Sequence, residues 1–364
     1  MDSFTKYAFL VALLFIIPME SFSQSCSNMV VNYKSGAKRD IPMEAVDNIT
    51  FDNNAKEENE NFYYTISFVG NPIKILSTED DDVTEVDNLI MGYFNIVKVQ
   101  DDLYYLYYIA VGENEVISNE TYDLCMAYST DGFNWKRGIP DGDGNVVMTG
   151  VIEQSVFMVP DEENPFRLIG NEGPGSLKMW KSKDGIHFTD KREILTDRWH
   201  DTQNVGLVKG DRIKVFNRLW NPTATNRQIG VAYVDLDGNL LTKNIKLAGD
   251  YLYNSAPIQI DERYEILLPT FFNNKDGKDD SCYLKAFVLD GFYLKEIDCG
   301  LNSKIDKSTG WVMVSPYMIN IEGKNYIAYE TNTKSHDSIS AEKGIVNYYL
   351  IQVEINKDYY DINK

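Results

Sequence analysis

The sequence predicts an all-β protein, a five-bladed β-propeller with four-stranded antiparallel blades that follows a short N-terminal strand segment. Three observations support this fold class: one turn motif recurs at a fixed interval, strand-like runs precede each copy, and the region has no sustained helical period. The motif is an Asp-Gly pair that recurs every 53 residues, at Asp131-Gly132, Asp184-Gly185, Asp237-Gly238 and Asp290-Gly291. Because Asp-Gly between alternating apolar runs is a strong hairpin signal, we expect each pair to join two strands of one blade.

Two strand-like runs lie before each turn, which makes four strands per repeat, the number in a propeller blade. In the first repeat these runs are Ile96–Val99 and Leu103–Ala110. The five repeats are expected to begin near Asp87, Val151, His200, Tyr253 and Trp311. The last repeat ends with the run Val346–Ile355 and lacks an outer strand. We therefore expect Phe68–Leu76, from the N-terminal side, to supply that strand and close a ring of five blades.

Residues 1–23 have the features of a secretory signal peptide. A positively charged residue precedes Tyr7–Ile17, an apolar run that is too short to span a bilayer. Ser21-Phe22-Ser23 then offers small residues to signal peptidase. Residues 24–61 are expected to form two short strands and a polar linker, which leaves residues 62–364 for the propeller.

Export would place the mature chain in the periplasm, at the cell surface or outside the cell, and we expect no transmembrane segment in it. Cys26 follows Ser23-Gln24-Ser25, which resembles a lipid-attachment box without its usual leucine. Lipid anchoring at Cys26 therefore stays open. With a lipid the protein would be held at a membrane surface, and without one it would be released.

Cys282 and Cys299 flank the last Asp-Gly turn. If Asp290-Gly291 formed a two-residue turn, the strand register would place the two cysteines opposite each other. Disulfides form in exported proteins, so a bridge between Cys282 and Cys299 is one alternative. Two separate buried thiols are the other, and the sequence favours neither.

The composition narrows the range of partners. The chain has 364 residues, of which 43% are hydrophobic, with a formal net charge of -20 and a pI near 4.6. This acidity disfavours nucleic acid, because phosphate binding requires clustered Lys and Arg, and it favours a neutral or weakly charged ligand. No zinc-site spacing or glycine-rich phosphate loop occurs, so no cofactor is expected. Asp141–Asn145 and Asp276–Asp280 could hold a structural calcium ion or be solvated turns.

Carboxylates that open the inner strands are the candidate catalytic residues, because inner strands line the central channel of a propeller. Glu153, in Glu153-Gln154-Ser155-Val156, and Asp201, in Asp201-Thr202-Gln203-Asn204, fit this position. Cleavage of a glycosidic bond requires one protonated carboxyl and one carboxylate, so we expect both at one mouth, about 10 Å or less apart. An ion pair at the blade rim for Glu153 and an Asx turn for Asp201 are the structural alternatives.

Aromatic and polar side chains near these acids are candidate ligand-binding residues, since sugars offer apolar ring faces and hydroxyl groups. The candidates for stacking are Trp199, Trp220 and Tyr253, and those for hydrogen bonding are Asn204, Asn254 and Arg218. We expect them around the mouth that holds Glu153 and Asp201.

Over about residues 65–355 the pattern resembles the five-bladed propeller glycoside hydrolases of families 32, 43 and 117 and their relatives. The pieces that carry the resemblance are Ser129–Trp135, Val151–Gly170, Trp199–Val208, Tyr253–Pro257 and Asn325–His336. The most specific piece is Trp199–Val205, which includes His200 and Gln203. Residues 24–60 are similar to a short segment of exported Bacteroidetes proteins.

The resemblance implies a catalytic set of one inner-strand acid from each of the first three blades. It gives Glu153 the second-blade role, which orients and tunes the site, and Asp201 the third-blade role of general acid. Tyr93 stands where the first-blade base or nucleophile would be, and Asp87 is a nearby carboxylate that could reach in. His336 is similar to a fifth-blade histidine at the mouth of these relatives, or is a loop residue without a role.

The expected function is a secreted glycoside hydrolase that cleaves glycosidic bonds of a poly- or oligosaccharide with inner-strand carboxylates. The alternative is a cell-surface propeller that binds glycans without cleaving them, and Tyr93 in place of the first-blade acid favours it. A sialidase-type propeller is a third interpretation, which would require six blades and one more residue between the Asp and Gly of each turn.

Overall fold

A computed structural model of the chain describes residues 28–32, 38–42, 62–88, 90–112, 122–172, 176–195, 200–219, 228–242, 244–247, 256–261, 263–272, 282–291, 293–305, 310–333 and 344–359. The chain divides into two compact units, residues 1–53 and residues 54–364. In the first unit β1 (Asn28–Asn32) pairs antiparallel with β2 (Lys38–Pro42). The two short strands expected in this segment are therefore present.

The second unit is built from antiparallel sheets. Its strands are β3 (Phe62–Ser77), β4 (Ile90–Gln100), β5 (Leu103–Val111), β6 (Asp123–Ser129), β7 (Lys136–Arg137), β8 (Val146–Thr149), β9 (Ile152–Met158), β10 (Phe166–Asn171), β11 (Leu177–Ser182), β12 (Thr189–Leu195), β13 (His200–Lys209), β14 (Arg212–Leu219), β15 (Gln228–Asp235), β16 (Ile245–Lys246), β17 (Pro257–Gln259), β18 (Tyr264–Leu267), β19 (Thr270–Phe272), β20 (Cys282–Leu284), β21 (Ala286–Asp290), β22 (Tyr293–Ile297), β23 (Trp311–Ile321), β24 (Lys324–Asn332) and β25 (Val346–Tyr359). A 3₁₀ helix, Gly300–Lys304, follows β22.

Five four-stranded paths through these sheets form the blades of a propeller. From the innermost strand outwards they are β4-β5-β6-β7, β9-β10-β11-β12, β13-β14-β15-β16, β17-β18-β21-β22 and β23-β24-β25-β3, which we number blades one to five. The innermost strands contact one another in a ring, β4 with β9, β9 with β13, β13 with β17, β17 with β23 and β23 with β4. In addition, β8 pairs with β6 and β19 pairs with β20. The predicted all-β fold with five blades is confirmed.

The recurring Asp-Gly pairs lie where the third and fourth strands of blades one to four are joined. In blade one the Asp131 carboxylate accepts hydrogen bonds from the backbone N–H groups of Phe133 and Asn134, at 2.8 and 2.7 Å. Burial opposes ionisation of this carboxyl, but its hydrogen bonds outweigh burial and lower the pKa of Asp131 to about 2. Gly132 has a φ of +80°, which residues with a side chain rarely adopt. The Asp-Gly pair therefore meets two requirements of this turn, a carboxylate that accepts backbone N–H groups and a glycine with a positive φ.

The fifth blade is completed by the first strand of the second unit. β3 pairs antiparallel with β25, from Ser77 opposite Asn347 to Phe62 opposite Tyr359. The expected outer strand Phe68–Leu76 is thus present and extends further at both ends. Strand pairing between the two ends of the unit closes the ring.

The last Asp-Gly turn differs from the predicted register. A two-residue Asp290-Gly291 turn would be closed by a pair between positions 289 and 292. The structure instead closes the turn with Asp290 paired to Tyr293, so each member of the pair lies one residue later. Cys282 lies in β20, which belongs to a separate strand pair, and Cys299 is a free thiol whose pKa is raised to about 11 by burial. Of the two alternatives, the bridge is therefore not formed, because the turn lies one residue later than a two-residue Asp290-Gly291 turn and Cys299 is a free thiol.

Blades two and three approach each other closely at Gly206, in β13. A Cβ atom at this position would lie 2.4 Å from Cε1 and 2.5 Å from Cζ of the Phe157 ring. We expect Gly206→Ala to lower the free energy of unfolding by about 1–3 kcal/mol, the usual cost of overpacking a core, measured by urea denaturation. Gly300→Ala is the control, because a Cβ there meets only Phe68 Cδ2 at 3.8 Å. Equal stability of the two variants would contradict the prediction.

Candidate active site

The inner strands of four blades carry a β-bulge at a similar level. The pairing with the second strand shifts between Gly92 and Asn95 in β4, Ile152 and Ser155 in β9, Asp201 and Val205 in β13, and Val314 and Met318 in β23. A bulge bends its strand and re-aims the side chains that it carries. Three bulge residues have left-handed backbone conformations: Tyr93 with a φ of +47°, Glu153 with a φ of +51° and Tyr317 with a φ of +76°. Tyr93 and Glu153 are site residues predicted from the sequence.

The bulges contribute to one pocket at the centre of the ring. Its lining comes from the innermost segments of all five blades, namely Tyr93, Phe94, Glu153, Gln154, Asn204, Val205, Ala256, Met313, Val314 and Pro316. The empty space in the pocket is about 300 Å³, a figure that includes open solvent. The structure therefore brings together three of the predicted site residues, Tyr93, Glu153 and Asn204.

A repeated hydrogen bond connects the bulges of neighbouring blades. Gln154 Nε2 donates to the backbone carbonyl of Tyr93 at 3.1 Å, and Asn204 Nδ2 donates to that of Glu153 at 3.3 Å. In each case a side chain of the following blade holds the left-handed residue of the preceding one. Tyr93 and Glu153 are therefore equivalent positions in blades one and two.

The bulge of blade three is one residue longer than those of blades one and two. Because Gln203 immediately precedes Asn204, it is the blade-three counterpart of Glu153. Asp201 lies before the bulge, where it pairs with Arg218 of β14. Sequence spacing equated Asp201 with Glu153, but Asp201 lies two residues before Gln203, and the extra bulge residue accounts for one of these two positions.

Polar atoms on the wall formed by blades two and three are buried. Gln154 Oε1 and Asn204 Oδ1 have no hydrogen-bond partner among the described residues. A buried acceptor without a donor costs about 1–3 kcal/mol, so these oxygens are suited to accept hydrogen bonds from a ligand. Glu153 is also buried, and its charge adds to the effect of burial in raising the pKa of Tyr122. This wall thus presents a carboxyl group and two amide acceptors.

Tyr317, in the bulge of β23, reaches across the ring. Its hydroxyl donates to the backbone carbonyl of Gly206 in blade three, at 2.9 Å, one residue along from the pocket-lining Val205. Burial raises the pKa of Tyr317 well above its usual value, and its hydrogen bonds oppose this only in part. This hydrogen bond therefore connects blade five with blade three.

Glu330 is a buried acid that the sequence analysis did not identify as a site residue. It lies in β24, paired with the pocket-lining Met313, and its side chain is buried. Oε1 accepts a hydrogen bond from Trp311 Nε1 at 3.2 Å. Burial raises the pKa of Glu330 to about 8, although Trp311 and the backbone N–H of Tyr93 favour the charged form. The sequence analysis considered only carboxylates that open the innermost strands, so it missed Glu330, which lies on the second strand of blade five.

Asp87, the candidate for the missing first-blade acid, lies in a buried ion pair. Its carboxylate accepts hydrogen bonds from the Tyr108 hydroxyl at 2.7 Å and from Arg137 Nε at 2.9 Å. Arg137 also contacts Asp80 and Asp82. Asp87 is not part of the pocket wall that the described residues form. A role as catalytic base, which stays a prediction, would require this ion pair to open.

Several predicted site residues lie outside the part of the chain that the structure describes: Trp199, Trp220, Tyr253, Asn254 and His336. Only the backbone is described for His200, Asp201 and Gln203, and Arg218 is buried in β14. Asp276–Asp280, one of the two calcium candidates, also lies outside. Within the described ranges, no group of three or more His, Cys, Asp or Glu residues is placed to hold a metal ion.

Together, the fold and the pocket define a five-bladed propeller with a candidate site at the centre of its ring. Comparison with known sequences adds nothing to this, since no family model and no curated protein matches the chain. No helix among the described residues has the length and apolar character needed to cross a membrane.

Solved structures do match. An α-L-arabinofuranosidase of Podospora anserina, in complex with cellotriose, has a TM-score of 0.52 at 9% identity and covers 78% of this chain and 95% of its own. An endo-1,4-β-xylanase of Bacteroides thetaiotaomicron has a TM-score of 0.50 at 12% identity, covering 74% and 94%. An N-acetylgalactosamine deacetylase of F. plautii, in complex with blood group B trisaccharide, has a TM-score of 0.52 at 12% identity, covering 80% and 95%. The expected likeness to propeller glycoside hydrolases is therefore confirmed for the fold.

Proposed function

We propose that this chain is an exported glycoside hydrolase that cleaves a glycosidic bond of a poly- or oligosaccharide in the central pocket. One observation carries the proposal: a pocket at the centre of the ring holds Glu153 in its wall, next to the buried amide oxygens of Gln154 and Asn204. Hydrolysis of a glycosidic bond needs carboxyl groups that differ in protonation around one small site. The features of residues 1–23 support export.

The roles proposed for the acids follow the resemblance noted from the sequence. Asp201 would protonate the leaving-group oxygen as the glycosidic bond breaks, and Glu153 would orient and tune the reacting groups. Gln154 and Asn204, with their buried acceptor oxygens, would bind sugar hydroxyls beside Glu153. A net charge of -20 favours a neutral or weakly charged glycan over an anionic one.

A non-catalytic glycan-binding propeller is the second candidate. Two observations favour it. Tyr93, which is not an acid, occupies the blade-one position equivalent to Glu153, and the carboxylate of Asp87 is ion-paired with Arg137. Such a protein would use the same pocket and the same amide acceptors without breaking a bond. The similar fold of a deacetylase also means that fold likeness alone does not select the reaction.

Product release from a panel of plant, algal and host polysaccharides tests the proposal. The mature wild type should release soluble sugars from at least one member, while the double variant Glu153→Gln, Asp201→Asn should release none, which excludes a contaminating enzyme. Retention of the protein on an affinity gel of a polysaccharide that it does not cleave would favour the binding module. Neither release nor retention on any member would contradict both candidates.

A further inference from the structure

Glu330 lies at the junction between blades five and one. Besides its hydrogen bond with Trp311, the carboxyl faces the backbone of the blade-one bulge at Gly92. A Cβ atom on Gly92 would lie 3.8 Å from Glu330 Oε1 and 3.9 Å from Oε2. The carboxyl therefore occupies the space into which a larger residue at position 92 would project.

The next residue along the chain, Tyr93, is held on both sides of its backbone. Its N–H interacts with the Glu330 carboxyl, and its carbonyl accepts the hydrogen bond from Gln154. The Tyr93 ring packs against Trp311 and Met313. A left-handed conformation of a non-glycine residue costs about 1–2 kcal/mol and persists only where its surroundings enforce it. The contacts with Glu330 of blade five and Gln154 of blade two hold Tyr93 in this conformation.

The surroundings of Glu330 favour a neutral carboxyl. The groups that face it are the backbone of Gly92 and Tyr93 from β4, Trp311 and Met313 from β23, and Tyr348 from β25. None of these is cationic, and within the described residues neither Glu330 Oε2 nor the Tyr348 hydroxyl has a hydrogen-bond partner. Arg137, a cation that acts on Tyr348, is engaged by Asp87, Asp82 and Asp80. An ionised Glu330 would therefore be a buried charge without a counterion.

We propose that Glu330 is a positioning residue of the pocket, which holds Tyr93 in its left-handed conformation from blade five and thereby sets the blade-one wall. Its carboxyl accepts the Tyr93 N–H, and Glu330 is not among the residues that line the pocket. The claim that this wall matters for glycan binding rests on the proposed function. The contact between Glu330 and Tyr93 does not depend on that function.

Hydrogen exchange at the Tyr93 amide tests the contact without any ligand. At pH 7, Glu330→Gln, whose amide oxygen can still accept the Tyr93 N–H, should keep the wild-type protection, and Glu330→Leu should lose it by at least ~10-fold. Glu354→Gln, an exposed carboxyl change in the same blade, is the control and should behave as wild type. Equal protection in all four proteins would overturn the proposal.

The functional part is tested with whichever polysaccharide the panel identifies. At pH 7 the KM, or the Kd for a bound but uncleaved glycan, should rise about tenfold in Glu330→Leu and stay near the wild-type value in Glu330→Gln. Because Glu330 acts through Tyr93, kcat should stay within about twofold of the wild-type value in both variants. A KM that is unchanged in Glu330→Leu would overturn the functional part. If no panel member is bound or cleaved, the proposed function fails, and the exchange result still decides whether Glu330 holds Tyr93.

Discussion

Glu153→Gln is expected to lower the rate of glycan cleavage at least ~100-fold, a typical contribution of a positioned catalytic carboxyl. The change removes a charge from the pocket wall and keeps the size of the side chain. Because the Glu153 backbone carbonyl accepts the bond from Asn204, and the substitution leaves that carbonyl in place, the bulge should keep its shape. Initial rates on the polysaccharide identified by the panel measure the effect. Glu163→Gln, at an exposed position of the same blade, is the matched control and should leave the rate unchanged.

The corresponding substitution at Asp201 distinguishes the role proposed for Asp201 from the role proposed for Glu153. As the proposed general acid, Asp201→Asn should also cost at least ~100-fold on the natural glycan. It should cost much less on an aryl glycoside whose leaving group departs without protonation, whereas Glu153→Gln should slow both substrates. Asp211→Asn, at an exposed turn of blade three, is the control. A near-normal rate for Asp201→Asn on the glycan would remove Asp201 from the mechanism.

Arg137→Met is expected to lower the free energy of unfolding by about 3–5 kcal/mol, because it leaves a buried charge without its partner. Asp87 is 0% exposed, and Arg137 contacts it at 2.9 Å while also binding Asp80 and Asp82. Three carboxylates would thus lose one common counterion. Urea denaturation at pH 7 measures the loss.

Two further variants establish the cause of that loss. Arg212→Met removes an exposed arginine next to Asp211 and should change stability by less than about 1 kcal/mol. Adding Asp87→Asn to Arg137→Met should recover part of the stability, because it neutralises the stranded carboxyl. If Arg137→Met were no less stable than Arg212→Met, the ion pair would not be a stabilising element of blade one.

The fold could be predicted from the sequence because its signals are local. An Asp-Gly turn such as Asp131-Gly132 requires a left-handed glycine and a carboxylate that binds two backbone N–H groups, and both requirements are visible within a few residues. The missing outer strand of the last repeat then pointed to a strand from the N-terminal side. Where the local signal was ambiguous by one residue, as at Asp290, the sequence could not decide between a Cys282–Cys299 bridge and two separate thiols.

The site could be predicted only in part, because its geometry depends on contacts between blades. Glu153 and Tyr93 precede apolar runs, and the sequence placed both at the channel. Bulge lengths leave no clear mark in a sequence, so the equivalence of Glu153 with Gln203 was not visible. Glu330 approaches Tyr93 only because the last blade of the ring meets the first. No local pattern encodes such a neighbour.

The pairing of β3 with β25 also sets an order of events in folding. β3 is made before any blade, and its partner is made after all of them. At about 5–20 residues per second of synthesis, β3 waits roughly 15–60 s for β25. During that time its edges are unpaired, and a lone strand of this length is a hazard for association with other chains. The fifth blade is therefore completed only after β25 has been made, and a chaperone that covers residues 62–77 should raise the yield of folded protein.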